Sequence, residues 1–259
     1  MSLAVMALGT IGFMTTEKLS LTDAFYFSLV TVTTVGYGDI HPSTTAGKYL
    51  AVGLIVLGVG TFLGAVANLT ELLLARREKR FRLQKLNMVV GVFFSELGTP
   101  FLAHLARCDP QLESVRQDLM VRASWGNRDF ARVKSILKGY AFRTEPQETQ
   151  LADLRSLLAK HGQFLLGLWD NPYLLEHESF TETLRTIFHL REELLLREDL
   201  GNLPRNDLAH IAGDISRVYG RLCVEWVNYM HHLKDTYPYL FSLAMRTNPF
   251  DRGASPVVK

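Results

Sequence analysis

Apolar positions are laid out in two different styles along the chain. From Tyr49 to Thr70, 22 consecutive residues carry no charge and are rich in Leu, Val, Ile, Ala and Gly. As a helix this run is about 33 Å long, enough to cross a hydrocarbon core of about 30 Å. Buried core helices rarely need so long an uncharged run, so the pattern predicts a membrane-spanning inner helix over 45–75. Ser2 to Met14 is also apolar, but thirteen residues reach only about 20 Å. It has no basic start and no plausible cleavage site before Thr15, which argues against a signal peptide. It is expected to be the C-terminal half of an outer helix whose beginning lies before residue 1. Between the two, 22–33 reads as a short helix. Ser20 or Thr22 can cap its start, Asp23 complements the dipole there, and Phe25, Tyr26, Phe27 and Leu29 give it an apolar, aromatic face.

After Arg82 the apolar residues recur with helical spacing and frequent punctuation. Leu83, Leu86, Val90, Phe94 and Leu97 suggest that the inner helix continues or resumes to Gly98. Thr99-Pro100 and Asp109-Pro110 read as cap plus first helical residue. Thr144 to Gln147 and Ser179 to Glu182 have capping-box spacing. A last long helix from about Pro204 to Asp235 carries Leu208, Ile211, Ile215, Val218, Leu222, Trp226, Met230 and Leu233 on one face, suited to a bundle. Alternating strand patterns are almost absent. The expected organisation is an all-α membrane protein: a membrane domain over 1–80, a helical domain over 81–246, and a loose tail over 247–259.

Charge sharpens this division. Of 54 charged residues, only six lie in 1–74: Glu17, Lys18, Asp23, Asp39, Lys48 and Glu71. Charge density rises from about 8% there to about 26% beyond, near the level of soluble domains. A single soluble domain, a disulfide framework and a disordered chain are thereby excluded. The two cysteines, Cys108 and Cys223, lie far apart with no metal spacing. The run Arg76-Arg77-Glu78-Lys79-Arg80-Phe81-Arg82, with Lys85 behind it, places this end of the inner helix in the cytoplasm. It can also touch anionic lipid headgroups from Arg76 to Lys85. It follows the spanning segment and is clustered, so it does not read as a voltage sensor. Nucleic-acid binding needs more positive charge than the rest provides.

The string Thr31-Val32-Thr33-Thr34-Val35-Gly36-Tyr37-Gly38-Asp39 lies between the short helix and the spanning one. Gly36 and Gly38 accept backbone angles forbidden to other residues, so successive carbonyls can turn to one side. Four such strands around an axis would stack rings of carbonyl oxygen, with Thr34 hydroxyls at the inner end, able to replace the water shell of K+. Non-helical backbone at membrane depth is tolerated where it lines a wet path or is enclosed by protein. One string per chain cannot close a four-fold ring, so a homotetramer is expected.

These residues resemble the potassium channel family, specifically its prokaryotic two-transmembrane type, over roughly residues 1–80. The run from Leu54 to Phe62 is similar to the inner helix of calcium-gated archaeal members. The resemblance implies a tetrameric pore with a re-entrant pore helix and a selectivity filter at Thr34, Val35, Gly36, Tyr37 and Gly38. Thr31, Tyr26 and Asp39 would support the filter, and Gly58 would be a gating hinge; close helix packing through small residues is the other reading of Gly58. Glu71 would form an acidic ring at the cytoplasmic mouth, or be a solvated helix-end carboxylate. His41 lies at the outer lip, where four copies would repel on protonation and external acid would lower conductance; a solvated turn histidine is its alternative. Two departures stand out. Where some members place a carboxylate in the pore helix this chain has Val30, and where others have a tryptophan it has Tyr26, whose hydroxyl can reach Asp39.

The helical domain matches no regulator expected from that resemblance. A nucleotide-binding α/β domain needs a strand, a glycine fingerprint and a helix in order, and 82–259 contains none. An EF-hand loop is absent too, so calcium gating is not carried over. Asp207, His210 and Asp214 share one helical face and could hold a metal, but a polar exposed face explains them better. His231-His232 and His104 with Cys108 have weaker claims, and no nucleophile–base constellation stands out. The resulting expectation is a passive K+ channel, not an enzyme, in the cell membrane of a prokaryote. It would be multi-pass, with a cytoplasmic helical domain that regulates gating or assembly through an unknown ligand or protein. No cofactor, and no metal beyond K+ in the filter, is expected. The alternatives are a less selective cation pore, or a helical domain that is itself the working module, docking or enzymatic, anchored by the pore.

Overall fold

A computed structural model describes residues 2–174 and 177–258. The chain forms two compact units, Met1–Phe81 and Arg82–Lys259, and no strand occurs among the described residues.

The first unit contains α1 (Ser2–Thr16), α2 (Leu21–Val32), α3 (Thr45–Leu54), a π-helical turn over Ile55–Val59, and the beginning of α4 (Gly60–Phe93). Ser20, rather than Thr22, caps α2: its hydroxyl accepts from the Asp23 amide at 3.1 Å and donates to the Asp23 carboxylate at 2.8 Å. The core is small, made of Phe13, Ala24, Val32, Ala51 and Leu54, with Phe27 set edge-on to Phe13 at 4.7 Å. Glycine lets α1 come close. A methyl group on Gly12 would stand 2.5 Å from Leu50 Cδ2, and one on Gly9 2.9 Å from Leu54 Cδ1. Val56, Leu57, Leu63, Val66, Leu69 and Leu72 to Leu74 all point outward. The helical stretch containing them is long and apolar enough to cross a membrane, whereas α1 and α2 are apolar but short.

The second unit is a helical bundle built around α11 (Arg205–Thr236). Packed on it are α5 (Thr99–Arg107), α7 (Asn127–Gly139), α10 (Glu178–Leu196) and α12 (Pro238–Arg246). The short α6 (Glu113–Arg116), then α8 (Glu148–Lys160) and α9 (Gly162–Trp169), complete it. The apolar face read from sequence is the buried one, from Ile211 through Leu233, except that Leu208 is exposed. Aromatic pairs knit the core: Phe94 stacks on Tyr229 at 4.8 Å, and Phe93 meets Phe180 edge-on at 5.2 Å.

Several helix starts differ from the sequence expectation. Thr99-Pro100 opens no new helix after a break, because a π-helical turn over Phe94–Gly98 leads straight into α5. Asp109-Pro110 makes a turn instead of capping a helix, the Asp109 carboxylate accepting from the Gln111 amide at 2.9 Å, and α6 starts only at Glu113. The capping box of α8 lies one turn later, between Gln147 and Gln150, because Thr144 is engaged by α11: its hydroxyl donates to the Ala212 carbonyl at 2.9 Å. His177 caps α10, so Ser179 lies inside the helix. The tail is not loose where it begins. Asn248 and Phe250 are fully buried, the Asn248 amide donates to the Leu119 carbonyl at 2.9 Å, and Phe250 packs on Trp226 at 5.1 Å. One buried aromatic after Pro249 outweighs the breaker composition that suggested disorder.

Candidate functional site

The end of α2 hands its last carbonyls directly to the string that follows. The Thr34 amide donates to Thr31 O at 3.1 Å, and the amides of Val35 and Gly36 both donate to Val30 O, at 3.0 and 3.3 Å. Thr34, Gly36 and Gly38 then adopt φ of +63°, +54° and +78°, while Val35 and Tyr37 between them stay in the ordinary negative range. Alternating handedness of this kind turns successive peptide planes the same way, so that carbonyls can gather on one side of the strand. For Thr34 the conformation is strained, since a β-branched residue at positive φ costs about 1–2 kcal/mol. At Gly36 and Gly38 an added methyl group would meet nothing within 4 Å, so backbone angle rather than space calls for glycine.

Beyond the string the chain is clamped back to α2. The Tyr26 hydroxyl donates to the Asp39 carboxylate at 2.8 Å. A cavity of about 460 Å³ lies beside this clamp, lined by Tyr26, Val30, Thr31, Thr34, Tyr37, Asp39 and His41 among others. Tyr37 is 71% exposed in a single chain, and Val35 is also exposed. Gly58 is buried in the π-helical turn, where a methyl group would stand 2.6 Å from Val32 Cγ2, giving this glycine a packing reason. Glu71 is exposed on α4.

Sequence reasoning missed Glu17. Its carboxylate accepts from the amide and hydroxyl of both Ser43 and Thr44, at 2.6–3.0 Å, at the capped start of α3. Those bonds, Thr44 first, hold its pKa down to about 2 against the opposing effect of desolvation. A methyl group on Gly47 would fall on this carboxylate. Thr44 caps α3, a start the sequence reading did not single out, and nothing local announces a carboxylate partner 27 residues away.

The candidate sites of the helical unit are rearranged. Asp207 leaves the proposed triplet to take a bidentate bond from Arg197, at 2.6 and 2.8 Å. His189, from α10, instead joins His210 and Asp214. His231 stacks on Phe130 and bonds Asn127 at 2.9 Å, and burial lowers the pKa of His232. His104 Nε2 faces the Gln150 carbonyl rather than the Cys108 thiol. Burial pushes the Cys108 thiol up to about 11 and raises the Cys223 thiol well above its ordinary value, so neither is poised for chemistry.

Comparison with known proteins agrees with this division of the chain. A family described as "Ion channel" matches residues 1–75, and one described as "Uncharacterized protein MJ1433, C-terminal helical domain" matches residues 82–246. Uncharacterized protein MJ1433 of Methanocaldococcus jannaschii is 45% identical over 186 residues, 72% of this chain and 74% of that protein. Probable potassium channel protein 2 of the same organism is 33% identical over 107 residues, 34% of this chain and 31% of its own. Two-pore potassium channel 4 of Arabidopsis thaliana is 53% identical over 53 residues, 20% of this chain and 18% of its own. The potassium-channel similarity thus spans less than a third of those relatives. The chain belongs to the family of Uncharacterized protein MJ1433, with an ion channel domain of the potassium channel type at its N-terminus.

Proposed function

We propose that four copies of this chain assemble about an axis into a K+-selective channel that conducts passively across the cell membrane. In this reading α2 is the re-entrant pore helix and 34–38 the selectivity filter. Tyr26, Thr31 and Asp39 support the filter, and α3 with the first part of α4 forms the inner helix. The observation that carries the reading is the alternation of positive and negative φ over Thr34-Val35-Gly36-Tyr37-Gly38, directly after a short capped helix. The C-terminus of α2 aims its partial negative charge at the inner end of that string, where a dehydrated cation gains most from it. An exposed Tyr37 and Val35 suit packing against neighbouring copies. Ions would shed water into the carbonyl rings and advance by mutual displacement.

The helical domain, on the cytoplasmic side by the positive run at Arg76–Lys85, would bias the gate through the inner helices. Moving a gate from 1:99 to 99:1 takes about 5.5 kcal/mol, or roughly 1.4 kcal/mol for each of four chains. That demand is modest for a small bundle. Gly58 as hinge, Glu71 as an acidic ring and His41 as an acid-sensitive lip belong to the same proposal.

Purified protein reconstituted in bilayers with opposed K+ and Na+ gradients tests the pore. A reversal potential close to that of K+ is expected, and one near zero would mean an unselective pore. Deleting the chain from Asn87 onward tests the helical domain: a change in open probability is expected, whereas unaltered gating would leave it a docking or enzymatic module.

A further inference from the structure

We propose that the helical unit carries a divalent transition-metal site of the zinc class, formed by His189 Nε2, His210 Nε2 and Asp214 Oδ2. The three ligand atoms lie within 4.8 Å of one another, with His189 on α10 and the other two one turn apart on α11. His189 Nε2 is 3.2 Å and His210 Nε2 3.5 Å from the same carboxylate oxygen. Bonds of about 2.0–2.1 Å in a tetrahedral site put neighbouring ligand atoms roughly 3.3 Å apart, so both separations are those of an edge.

A second observation points to a ligand. The Asp214 side chain is only 3% exposed, and Oδ2 is a buried oxygen that accepts no hydrogen bond even though two imidazole nitrogens face it. A buried carboxylate oxygen left in this state is costly. Its sister oxygen is fixed by the Arg217 guanidinium at 2.6 Å, which aims Oδ2 at the two rings. In the tautomer with the proton on Nδ1, each neutral ring turns its Nε2 lone pair toward the carboxylate oxygen, and a cation held by the three atoms is the partner they share. Glu193, one turn after His189 on α10, has its carboxylate 4.0 Å from His189 Nε2 and 3.7 Å from His210 Nε2. Arg197 holds it there at 2.6 Å, where it or a water can fill the fourth position. Asp214, Glu193 and Asp207 against Arg197 and Arg217 leave a local charge of minus one, favourable for a divalent ion. Two nitrogens and one or two carboxylates, with no thiolate, suit Zn2+ and its neighbours rather than Ca2+ or Cu+. Both histidines are about half exposed, so the ion has a path from solvent. Bound metal would tie α10 to α11, and this holds whether or not the pore conducts.

The test uses the full chain in detergent, stripped of metal and titrated with Co2+ near pH 8, where ordinary histidines are neutral. Visible d–d absorption of a four-coordinate site is expected, saturating at one cobalt per chain, without the charge-transfer band that a thiolate would add, and reversed by Zn2+. His189→Ala and His210→Ala should each weaken binding by at least about 10-fold. These side chains are half exposed, so unchanged helix content and melting would confirm that both variants fold. His231→Ala should leave the titration as it is. The spectrum of aqueous cobalt alone at excess metal, or binding by His189→Ala and His210→Ala as tight as that of the native chain, would overturn the proposal.

Discussion

Replacing Tyr26 with phenylalanine removes a single oxygen and leaves the ring, and it tests whether the string at 34–38 is held from behind. The lost bond is the 2.8 Å contact to Asp39, which spans thirteen residues and closes around the whole string. A hydrogen bond to an ionised carboxylate contributes about 1.5–3 kcal/mol when buried. Asp39 is exposed in the single chain, so water can replace the hydroxyl, and the smaller figure of about 1 kcal/mol per chain is the better expectation. That corresponds to roughly a five-fold shift between conducting and collapsed filter for each chain taken separately. If four filters collapse together, the sum is about 4 kcal/mol and the shift approaches three orders of magnitude. Steady single-channel recording of the variant in symmetric K+ should therefore reveal long closures, with unitary conductance preserved in the bursts. The pairing with Asp39 is checked by a double-mutant cycle, since Asp39→Asn in the phenylalanine background should add little. Should Tyr26→Phe leave the closed fraction unaltered while Asp39→Asn raises it, the clamp has been misassigned.

Gly58→Ala places a methyl group 2.6 Å from Val32 Cγ2 and should destabilise the first unit by about 1–3 kcal/mol through overpacking. Thermal melting in detergent should recover when Val32→Ala is added, and a glycine needed only for bending would show no such rescue. Glu17 is expected to stabilise the fold above about pH 4.5, its ordinary value, with the contribution lost as pH falls through about 2. The melting difference between the native chain and Glu17→Gln should therefore shrink across that window, and a difference independent of pH would contradict the bonding at Ser43 and Thr44. In the helical unit, Tyr140 donates to the buried Asp109 at 2.6 Å. Tyr140→Phe should cost about 1–3 kcal/mol of stability, read from denaturant midpoints at unchanged slope.

What could be read from sequence was what is written in local pattern. The short helix before the string, the long apolar run and the amphipathic face of α11 each repeat one physical requirement over many residues. Such redundancy survives a few misleading positions: Leu208 is exposed on α11 without disturbing the rest of its face. Helix starts fared worse, because a cap is a single choice that tertiary contacts can take over. Thr144 had the right spacing for a capping box, yet its hydroxyl is bonded to the Ala212 carbonyl across the bundle. The same physics explains how the candidate triplet was regrouped. Helical periodicity alone grouped Asp207 with His210 and Asp214, all within about two turns of α11. An arginine from the end of α10 removed the first, and a histidine two turns earlier on α10 took its place. Periodicity reports which residues share a face; it carries no information on which residues a second helix brings to that face. Features written in one segment, like the short helix ending at Val32 and the positive φ of Gly36 and Gly38, are therefore legible from sequence, while arrangements shared between elements, like the Glu17 bracket and the histidine cluster, need the packing first.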